Sequence, residues 1–398
     1  MKTEYKPLSI YIHIPFCVRK CLYCDFLSAP AGEKEKEDYL ECLTEEIRRE
    51  AVYYKKYEVQ TVFIGGGTPS LVSALWMERI LQVVYDNYKM ADEREITIEV
   101  NPGTVSLDKL QAYYHMGINR LSIGLQSAQD NELKLLGRIH TAADFFRTYE
   151  NAVKSGFNNI NVDLMSAIPS QTVDSYKETL YKVLSLKPQP AHISAYSLII
   201  EEGTPFYENT PELPDEETDR LMYKITDDIL EENGYHRYEI SNYAKPGYEC
   251  RHNKVYWKRG DYAGFGIGAA SLVNNVRFGS TGDIRTYINR IASGGNCNPE
   301  GIRCPGNGIR ENIQKLSVKE QMEEYMFLGL RLTEGISCRD FYHTFGVKID
   351  KIYGEVIKKL ERQGLLLCKA DETGDMRIAL SEFGLDVSNV VMAEFLLE

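Results

Sequence analysis

The sequence lacks three features that would place the protein in a membrane, outside the cell or on nucleic acid. No apolar run approaches the length of about eighteen residues that a membrane-spanning helix requires, and the amino-terminal residues show no secretory cleavage site. Positive charge is also scarce, because 46 Lys and Arg oppose 58 Asp and Glu for a formal net charge of -12. Binding to nucleic-acid phosphates needs clustered cations. We therefore expect a cytoplasmic protein that does not bind nucleic acid.

The cysteines do not form the pattern of a disulfide framework. There are nine, an odd number, and their spacing is uneven, which suits a reducing compartment. Three of them, Cys17, Cys21 and Cys24, lie close together near the amino terminus. The other six are scattered and are expected to act mostly as small buried apolar groups: Cys42, Cys250, Cys297, Cys304, Cys338 and Cys368.

Short β-branched runs alternate with longer amphipathic stretches over the first half of the chain, which is typical of repeated βα units around a parallel sheet. The strand candidates are LSIYIHI from Leu8, TVFIG from Thr61, EITIEV from Glu95, RLSIG from Arg120, NINVDLM from Asn159 and HISAYSL from His192. Six such units predict a partial (β/α)6 barrel of the TIM type.

The chain length of 398 residues exceeds what one ordinary core accommodates, so we expect more than one domain. The alternation ends in a Pro- and acid-rich stretch after residue 200. We predict a core barrel over residues 1–200, a connecting region over 201–310, and a C-terminal domain over 311–398. Helices followed by a turn and strand near Gly364 predict that this last domain is α+β and winged-helix-like.

The chemically most specific motif is Cys17-x3-Cys21-x2-Cys24, which directly follows the first predicted strand. Three thiolates on one loop can hold three irons of a [4Fe-4S] cluster and leave the fourth iron open to S-adenosylmethionine. A structural zinc site is the alternative, but zinc normally takes four closed ligands. Only His13, on the preceding strand, offers itself as a fourth, so a zinc-stabilised barrel without enzymatic activity is a remote alternative.

The motif and its surroundings, YIHIPFCVRKCLYCDF, resemble the radical SAM superfamily and, within it, the coproporphyrinogen-oxidase-like branch. The resemblance continues through GGGTPS from Gly65, EVNPG from Glu99, GINRLSIGLQS from Gly117 and HISAYSLIIEEGTP from His192. It covers the whole predicted barrel and, less distinctly, the C-terminal part.

This resemblance implies a [4Fe-4S] cluster and S-adenosylmethionine as cofactors, with the three cysteines of the motif as the metal ligands. It implies that the glycine-rich loop contacts the methionyl amino group and that residues at the strand ends bind the rest of the cofactor. The implied cofactor-binding residues are Tyr11, Tyr23, Gly65, Gly66, Gly67, Thr68, Glu99, Gln126, Arg138 and Asp163.

Two functions within this branch remain open. Oxygen-independent coproporphyrinogen III oxidases carry a fourth cysteine two residues beyond the third, where this chain has Phe26. The segment HNKVYW from His252 resembles the HNxxYW pattern of the heme-chaperone members. Imidazole is a good axial ligand of heme iron, and a loop between two domains would leave it accessible. We therefore expect heme as a third cofactor bound through His252, with catalytic residues unknown and the oxidase as the alternative.

One stretch departs from the branch. MSAIPSQ, from Met165 to Gln171, has Ser166 and Ala167 where the family has an aromatic-glycine pair, and Ser170 where it has glycine.

As partners, the resemblance implies heme, heme-accepting proteins including membrane-associated ones, and an electron donor such as flavodoxin or ferredoxin. A homodimer is also an expectation.

Overall fold

The computed structural model describes residues 5–293 and 308–397. Cys297 and Cys304 lie outside these residues. Within the described part of the chain, no helix is long and apolar enough to cross a membrane.

The first half of the chain folds into six parallel strands with intervening helices, as the sequence predicts. The strands are β1 Lys6–Ile14, β2 Tyr57–Gly66, β3 Met90–Val100, β4 Arg120–Gln126, β5 Ile160–Ser166 and β6 His192–Ser197. The helices are α1 Glu33–Glu50, α2 Ala74–Asn87, α3 Leu107–His115, α4 Asp130–Leu135, α5 Ala142–Lys154 and α6 Val173–Leu184. The strands pair in chain order from β1 to β6, and each pair is parallel.

Side-chain alternation along β1 separates the two faces of this sheet. Ile10, Ile12 and Ile14 are buried in the main hydrophobic core, where helix α1 contributes Leu43 and Ile47. The opposite face carries polar and aromatic groups in the same strand, beginning with Ser9. The apolar face therefore anchors the helices, whereas the other face is free to build a polar interior.

The chain beyond residue 200 adds strands to both edges of the same sheet. Its elements are α7 Pro205–Glu208, α8 Glu216–Glu232, β7 His236–Glu239, β8 Asn242–Ala244, α9 Arg251–Trp257, β9 Tyr262–Phe265, β10 Ala270–Val273, β11 Val276–Ser280, α10 Ile284–Ala292 and β12 Arg310–Lys315. The full strand order is β12-β11-β10-β9-β1-β2-β3-β4-β5-β6-β8-β7. The sheet thus continues through the segment predicted as a connecting region, and β9 pairs with β1 in parallel.

The C-terminal part has its own core and a three-stranded antiparallel sheet. Its elements are α11 Val318–Gly329, β13 Ile336–Ser337, α12 Cys338–Phe345, α13 Ile349–Arg362, β14 Leu366–Ala370, β15 Met376–Leu380, α14 Glu382–Asp386 and α15 Ser388–Ala393. The strand order is β13-β15-β14, and the core includes Phe341 and Tyr353. Helices followed by a two-stranded wing match the predicted winged-helix-like α+β domain.

Ion pairs to the buried carboxylate of Glu324 join the C-terminal part to the large sheet. Arg259, just after α9, pairs with Glu324 of α11 at 2.9 Å, and both side chains are buried. Arg277 of β11 contacts the same carboxylate at 2.7 Å. The Arg331 guanidinium lies over the Trp257 ring, 4.3 Å from its centroid. Helix α9 is therefore held between the barrel and the C-terminal helices.

Candidate functional site

The three motif cysteines lie on the loop that leaves the carboxyl end of β1. Their thiols are unpaired and partly exposed, and all three line one cavity of about 320 Å³. Backbone hydrogen bonds hold this loop, from Cys17 N to Ala29 O at 3.1 Å and from Leu22 N to Leu136 O at 3.1 Å. Among the residues with described positions, no three His, Cys, Asp or Glu side chains converge on a single-ion site. The thiols instead border a shared space.

The glycine-rich turn after β2 packs directly against this loop. Gly66 has a φ of +115°, and a Cβ there would lie 2.6 Å from the His13 ring. A Cβ on Gly67 would lie 2.8 Å from Phe16 O and 3.0 Å from Cys17 Sγ. A side chain at either position would therefore displace the strand or the cysteine loop. Both glycines line the cavity, where their backbone can approach a ligand closely.

Two half-buried carboxylates face this cavity from β3 and β5, the strands on either side of β4. Glu99 ends β3 and accepts a hydrogen bond from Gly66 N at 3.1 Å. Asp163 on β5 accepts hydrogen bonds from Asn161 Nδ2 at 2.7 Å and Ser122 Oγ at 3.2 Å. Burial and the proximity of Asp163 raise the pKa of Glu99 to about 8, and burial raises the pKa of Asp163. Neither carboxylate forms an ion pair within 4 Å among the described residues, so the cavity suits a cationic ligand.

Arg138 provides positive charge on the side of the cavity that borders the cysteines. Its Nη2 donates to Asn101 Oδ1 at 3.0 Å and Gly124 O at 2.8 Å, and its Nη1 lies 3.7 Å from Cys21 Sγ. Its buried Nε has no hydrogen-bond partner in residues 5–293 and 308–397. The Arg138 guanidinium therefore lies beside the Cys21 thiol. The same group is placed to pair with a ligand carboxylate.

Hydroxyl and amide groups complete the link between the glycine-rich turn and the cysteines. Thr68 Oγ1 lies 3.4 Å from Cys17 Sγ, and Asn101 Nδ2 donates to Thr68 Oγ1 at 3.0 Å. Gln126 reaches the same cavity from the end of β4 with a φ of +70°. Tyr23 also lines the cavity, and burial raises the pKa of its hydroxyl.

Most of the predicted cofactor residues thus come together. Those that line the common cavity are Cys17, Cys21, Tyr23, Cys24, Gly66, Gly67, Thr68, Glu99, Gln126, Arg138 and Asp163. Ser122 and Tyr196 line it as well, although sequence reasoning missed them. The sequence could have predicted Ser122, because it lies two positions before Gly124 and four before Gln126 on β4 and therefore shares their face of the strand.

Tyr11 and Gly65 are not among the residues that line this cavity. The Tyr11 hydroxyl is hydrogen bonded to His13 Nδ1 at 2.9 Å, and its ring stacks on Phe63 with centroids 6.3 Å apart. His13 Nε2 is hydrogen bonded to Leu27 O at 2.8 Å, on the far side of the cysteine loop. A Cβ on Gly65 would lie 3.1 Å from Glu99 Oε2. These residues contact the cysteine loop and Glu99 without lining the cavity.

His252 does not lie on an accessible loop, although the sequence predicts one there. It belongs to helix α9 and is 1% exposed. Its Nδ1 is hydrogen bonded to Thr61 Oγ1 at 2.7 Å and its Nε2 to Tyr256 OH at 2.8 Å. Burial lowers the pKa of the imidazole to about 3, so the ring is neutral. The expectation of an exposed loop histidine is therefore wrong, because His252 is helical and buried. In this conformation neither ring nitrogen is free to bind a ligand.

The departures at MSAIPSQ lie at the end of β5 and in the turn that follows it. Ala167 has a φ of +55° and Ser170 a φ of +62°, so the backbone keeps the left-handed conformation that glycine adopts most readily. Gln171 fastens the turn, because its Nε2 donates to Glu132 Oε2 at 2.9 Å and to Met165 O at 3.3 Å. Ala167 and Ser170 therefore occupy backbone positions that favour glycine.

The fold, the cysteine loop and the cavity define a radical SAM protein. Residues 11–182 match the Radical SAM superfamily model and residues 316–373 match the HemN C-terminal domain model. As a member of that superfamily the protein uses a [4Fe-4S] cluster and S-adenosylmethionine. Within it, the chain belongs to the HemW family.

Full-length relatives show this membership. The chain is 35% identical over 397 residues to a protein of Lactococcus lactis named heme chaperone HemW, covering 99% of this chain and 98% of the relative. A Bacillus subtilis protein of the same name is 35% identical, covering 98% of this chain and 99% of the relative. A solved structure titled coproporphyrinogen III oxidase (HemN) from Escherichia coli shares the fold with a TM-score of 0.82. That match has 21% identity and covers 98% of this chain and 90% of the other.

Proposed function

We propose that this protein is a heme chaperone that binds heme and transfers it to acceptor proteins. The observation that carries the proposal is its similarity, along nearly its whole length, to relatives named heme chaperone HemW. Phe26 supports it, because this residue occupies the position of the fourth cysteine in the oxidases and projects from the cavity mouth with 60% of its surface exposed. A heme chaperone carries its ligand without chemically changing it.

We propose that Cys17, Cys21 and Cys24 hold the cluster and that the surrounding cavity holds S-adenosylmethionine. Together these cofactors supply one-electron cleavage of the sulfonium bond when bound. Glu99 would accept hydrogen bonds from the ammonium or ribose groups, and Arg138 would pair with the carboxylate. The half-buried carboxylates, which form no ion pair within 4 Å among the described residues, fit the ammonium group of this cofactor, and the glycine-rich turn allows close backbone approach at the same cavity.

The second candidate is the coproporphyrinogen III oxidase. The likeness of the whole fold to that of the solved Escherichia coli oxidase favours it, but at 21% identity this likeness bears on the fold alone. The replacement of the fourth cysteine by Phe26 argues against it. We therefore expect no useful decarboxylation of coproporphyrinogen III.

The partners follow from the same proposal. An electron donor such as flavodoxin or ferredoxin would dock on the cluster side, where Val18 is 59% exposed and lies beside Arg19 and Lys20. Proteins that accept heme, including membrane-associated ones, would receive it in the cytoplasm, and a homodimer remains part of the proposal. Direct ligation of heme iron by His252 would require this imidazole to leave Thr61 and Tyr256.

The deciding experiment is anaerobic incubation of the cluster-loaded protein, in separate reactions, with heme and with coproporphyrinogen III plus reductant and S-adenosylmethionine. Stoichiometric retention of heme, followed by its transfer to an apo-cytochrome, is the expected result. Repeated turnover of coproporphyrinogen III to protoporphyrinogen IX would support the oxidase instead. A Phe26→Cys variant serves as a comparison, since restoring the fourth thiol tests whether that position limits turnover.

A further inference from the structure

A second cavity, of about 420 Å³, opens at the other end of the barrel. It is bordered by the first residues of β1, including Leu8, and by Gly260 and Asp261 before β9. The cysteine loop leaves the carboxyl end of β1, so this cavity lies at the opposite edge of the sheet. Its volume falls within the range of roughly 300–1,000 Å³ typical of small-molecule sites.

One side of this cavity is the outward face of helix α9 and the residue that ends it. Arg251, Lys254 and Lys258 are spaced three and four residues apart, so they project along one side of the helix. Val255 lies between them and lines the same cavity. His252 points the other way, into the barrel, where it bonds to Thr61. The helix thus presents a cationic and apolar face outward.

The cations of this cavity are not fully neutralised by its acids. Glu249 is paired with His236 at 2.9 Å. Asp261 accepts hydrogen bonds from the Tyr57 hydroxyl at 2.9 Å and from a backbone amide. Lys258 pairs with Glu334 at 2.8 Å. Lys254 has no ion pair within 4 Å in the part of the chain that the structure describes, which leaves a partly buried ammonium facing the cavity.

We infer that this cavity at the amino ends of the strands is the heme site, an inference that rests on the proposed function. Heme is a flat apolar ring with two carboxylates on one edge. Pro7 and Val255 provide apolar surface for the ring. Lys254 meets a propionate through a charge-assisted hydrogen bond, with help from the Arg251 guanidinium, whose Nη1 also donates to Glu93 O. Charge complementarity supports this occupant, because three cations and two acids line the cavity and one of the cations, Lys254, has no ion pair within 4 Å among the described residues.

The assignment separates two roles within the HNxxYW segment. Arg251 and Lys254, on its outward face, bind the ligand. His252 and Tyr256, on its inward face, are positioning residues that fasten the helix to β2 through Thr61. Heme and S-adenosylmethionine then occupy opposite ends of one barrel and do not compete for space.

The test is a hemin titration of the full-length, cluster-loaded protein, followed by absorbance. Lys254→Glu is compared with Lys358→Glu, which makes the same charge change at an exposed lysine on α13 that pairs with Glu355. We expect Lys254→Glu to weaken hemin binding by about tenfold or more, since hydrogen bonds to charged groups are the stronger class. Lys358→Glu should bind hemin as the unmodified protein does. Cluster content, measured as iron per chain, confirms that both variants fold.

Metal-free protoporphyrin IX and its dimethyl ester extend the test. Metal-free protoporphyrin should show the same dependence on Lys254, because its propionates are intact, whereas the ester should bind both proteins equally. Equal hemin affinity of Lys254→Glu and the unmodified protein would overturn this site while leaving the heme-chaperone proposal standing. Failure of the unmodified protein to bind hemin at all would instead refute the proposed function.

Discussion

Replacing Ser170 by glycine is predicted to stabilise the protein. Ser170 is exposed and has a φ of +62°, a conformation that costs an L-residue about 1–2 kcal/mol. Glycine removes this cost but loses about 0.5–1 kcal/mol through its greater freedom in the unfolded chain. The net gain is therefore between about 0 and 1.5 kcal/mol, with a central value of about 0.75 kcal/mol. Because the Ser170 side chain is exposed, its loss sacrifices no buried contact.

The neighbouring Ala167 provides a contrast at the same turn. Its φ of +55° carries the same conformational cost, but its side chain is only 4% exposed. Burial of one methyl group contributes about 0.8 kcal/mol, which cancels the expected gain. We therefore predict that Ala167→Gly is close to neutral. At Ala51, where φ is -54° and the side chain is equally buried, both effects have the same sign, so the change to glycine should destabilise by about 1.3–1.8 kcal/mol.

Thermal unfolding of the cofactor-free protein measures these differences. An unfolding entropy of about 2.1 cal/mol/K per residue over 398 residues converts 1 kcal/mol into about 1 °C. The difference is small, so the variants are melted side by side, with Ser170→Asn as an intermediate because Asn tolerates this region better than Ser. A lower Tm for Ser170→Gly than for the unmodified protein would refute the backbone argument. Iron content should not change, since Ser170 does not line the cofactor cavity.

Three further predictions concern the cofactor cavity and the inward face of α9. Cys17→Ala should prevent reconstitution to about four irons per chain, whereas Cys42→Ala, remote from the motif, should not; equal iron in both would exclude the cluster assignment. The pKa of Glu99 is raised to about 8 in the folded protein, so the folded state binds the proton more tightly than the unfolded state does. The contribution of Glu99 to the free energy of unfolding is therefore lost as pH rises from about 4.5 to about 8. Glu99→Gln should therefore raise the Tm of the cofactor-free protein more at high pH than at low pH, and a pH-independent change would contradict this. His252→Ala should destabilise by about 2–4 kcal/mol, because it leaves buried hydroxyls unpaired and opens a cavity. In hemin titrations of the folded fraction it should reduce affinity less than Lys254→Glu does, and a larger loss would favour direct ligation.

The barrel and its cofactor edge could be predicted from sequence because their signals are local. Each of the six strands is a β-branched run, and each motif follows a strand directly, so the parallel order alone brings Glu99 and Asp163 to one edge. The glycines at Gly66 and Gly67 were visible as a motif. The reason why both positions require glycine is visible only in the structure, where a Cβ would contact the His13 ring or the Cys17 thiol.

The segment after residue 200 could not be predicted in the same way. Strands β7 to β12 have three to six residues each, too few to show a clear alternation of apolar and polar side chains. Helix α9 has seven residues, and its amino end is held by the Glu95 carboxylate, which accepts hydrogen bonds from Arg251 N at 3.2 Å and His252 N at 3.1 Å. That partner lies more than 150 positions earlier in the chain. The local sequence around His252 therefore does not predict a helix, because the contact with Glu95 that holds the helix is known only from the tertiary structure.

A continuous line of packed side chains runs through the barrel from helix α9 to the cysteine loop. The His252 ring lies 5.2 Å from that of Phe63, and Phe63 stacks on Tyr11. Tyr11 bonds to His13, whose other nitrogen bonds to the cysteine loop at Leu27 O. Contacts in such a chain are not energetically independent, because neighbouring residues couple when one is altered. A loss of heme binding in a His252 variant therefore has two physical explanations, and measuring cluster content in the same sample separates them. If cluster content is preserved, the effect lies at α9; if iron is lost as well, the line from His252 to Leu27 has been disturbed.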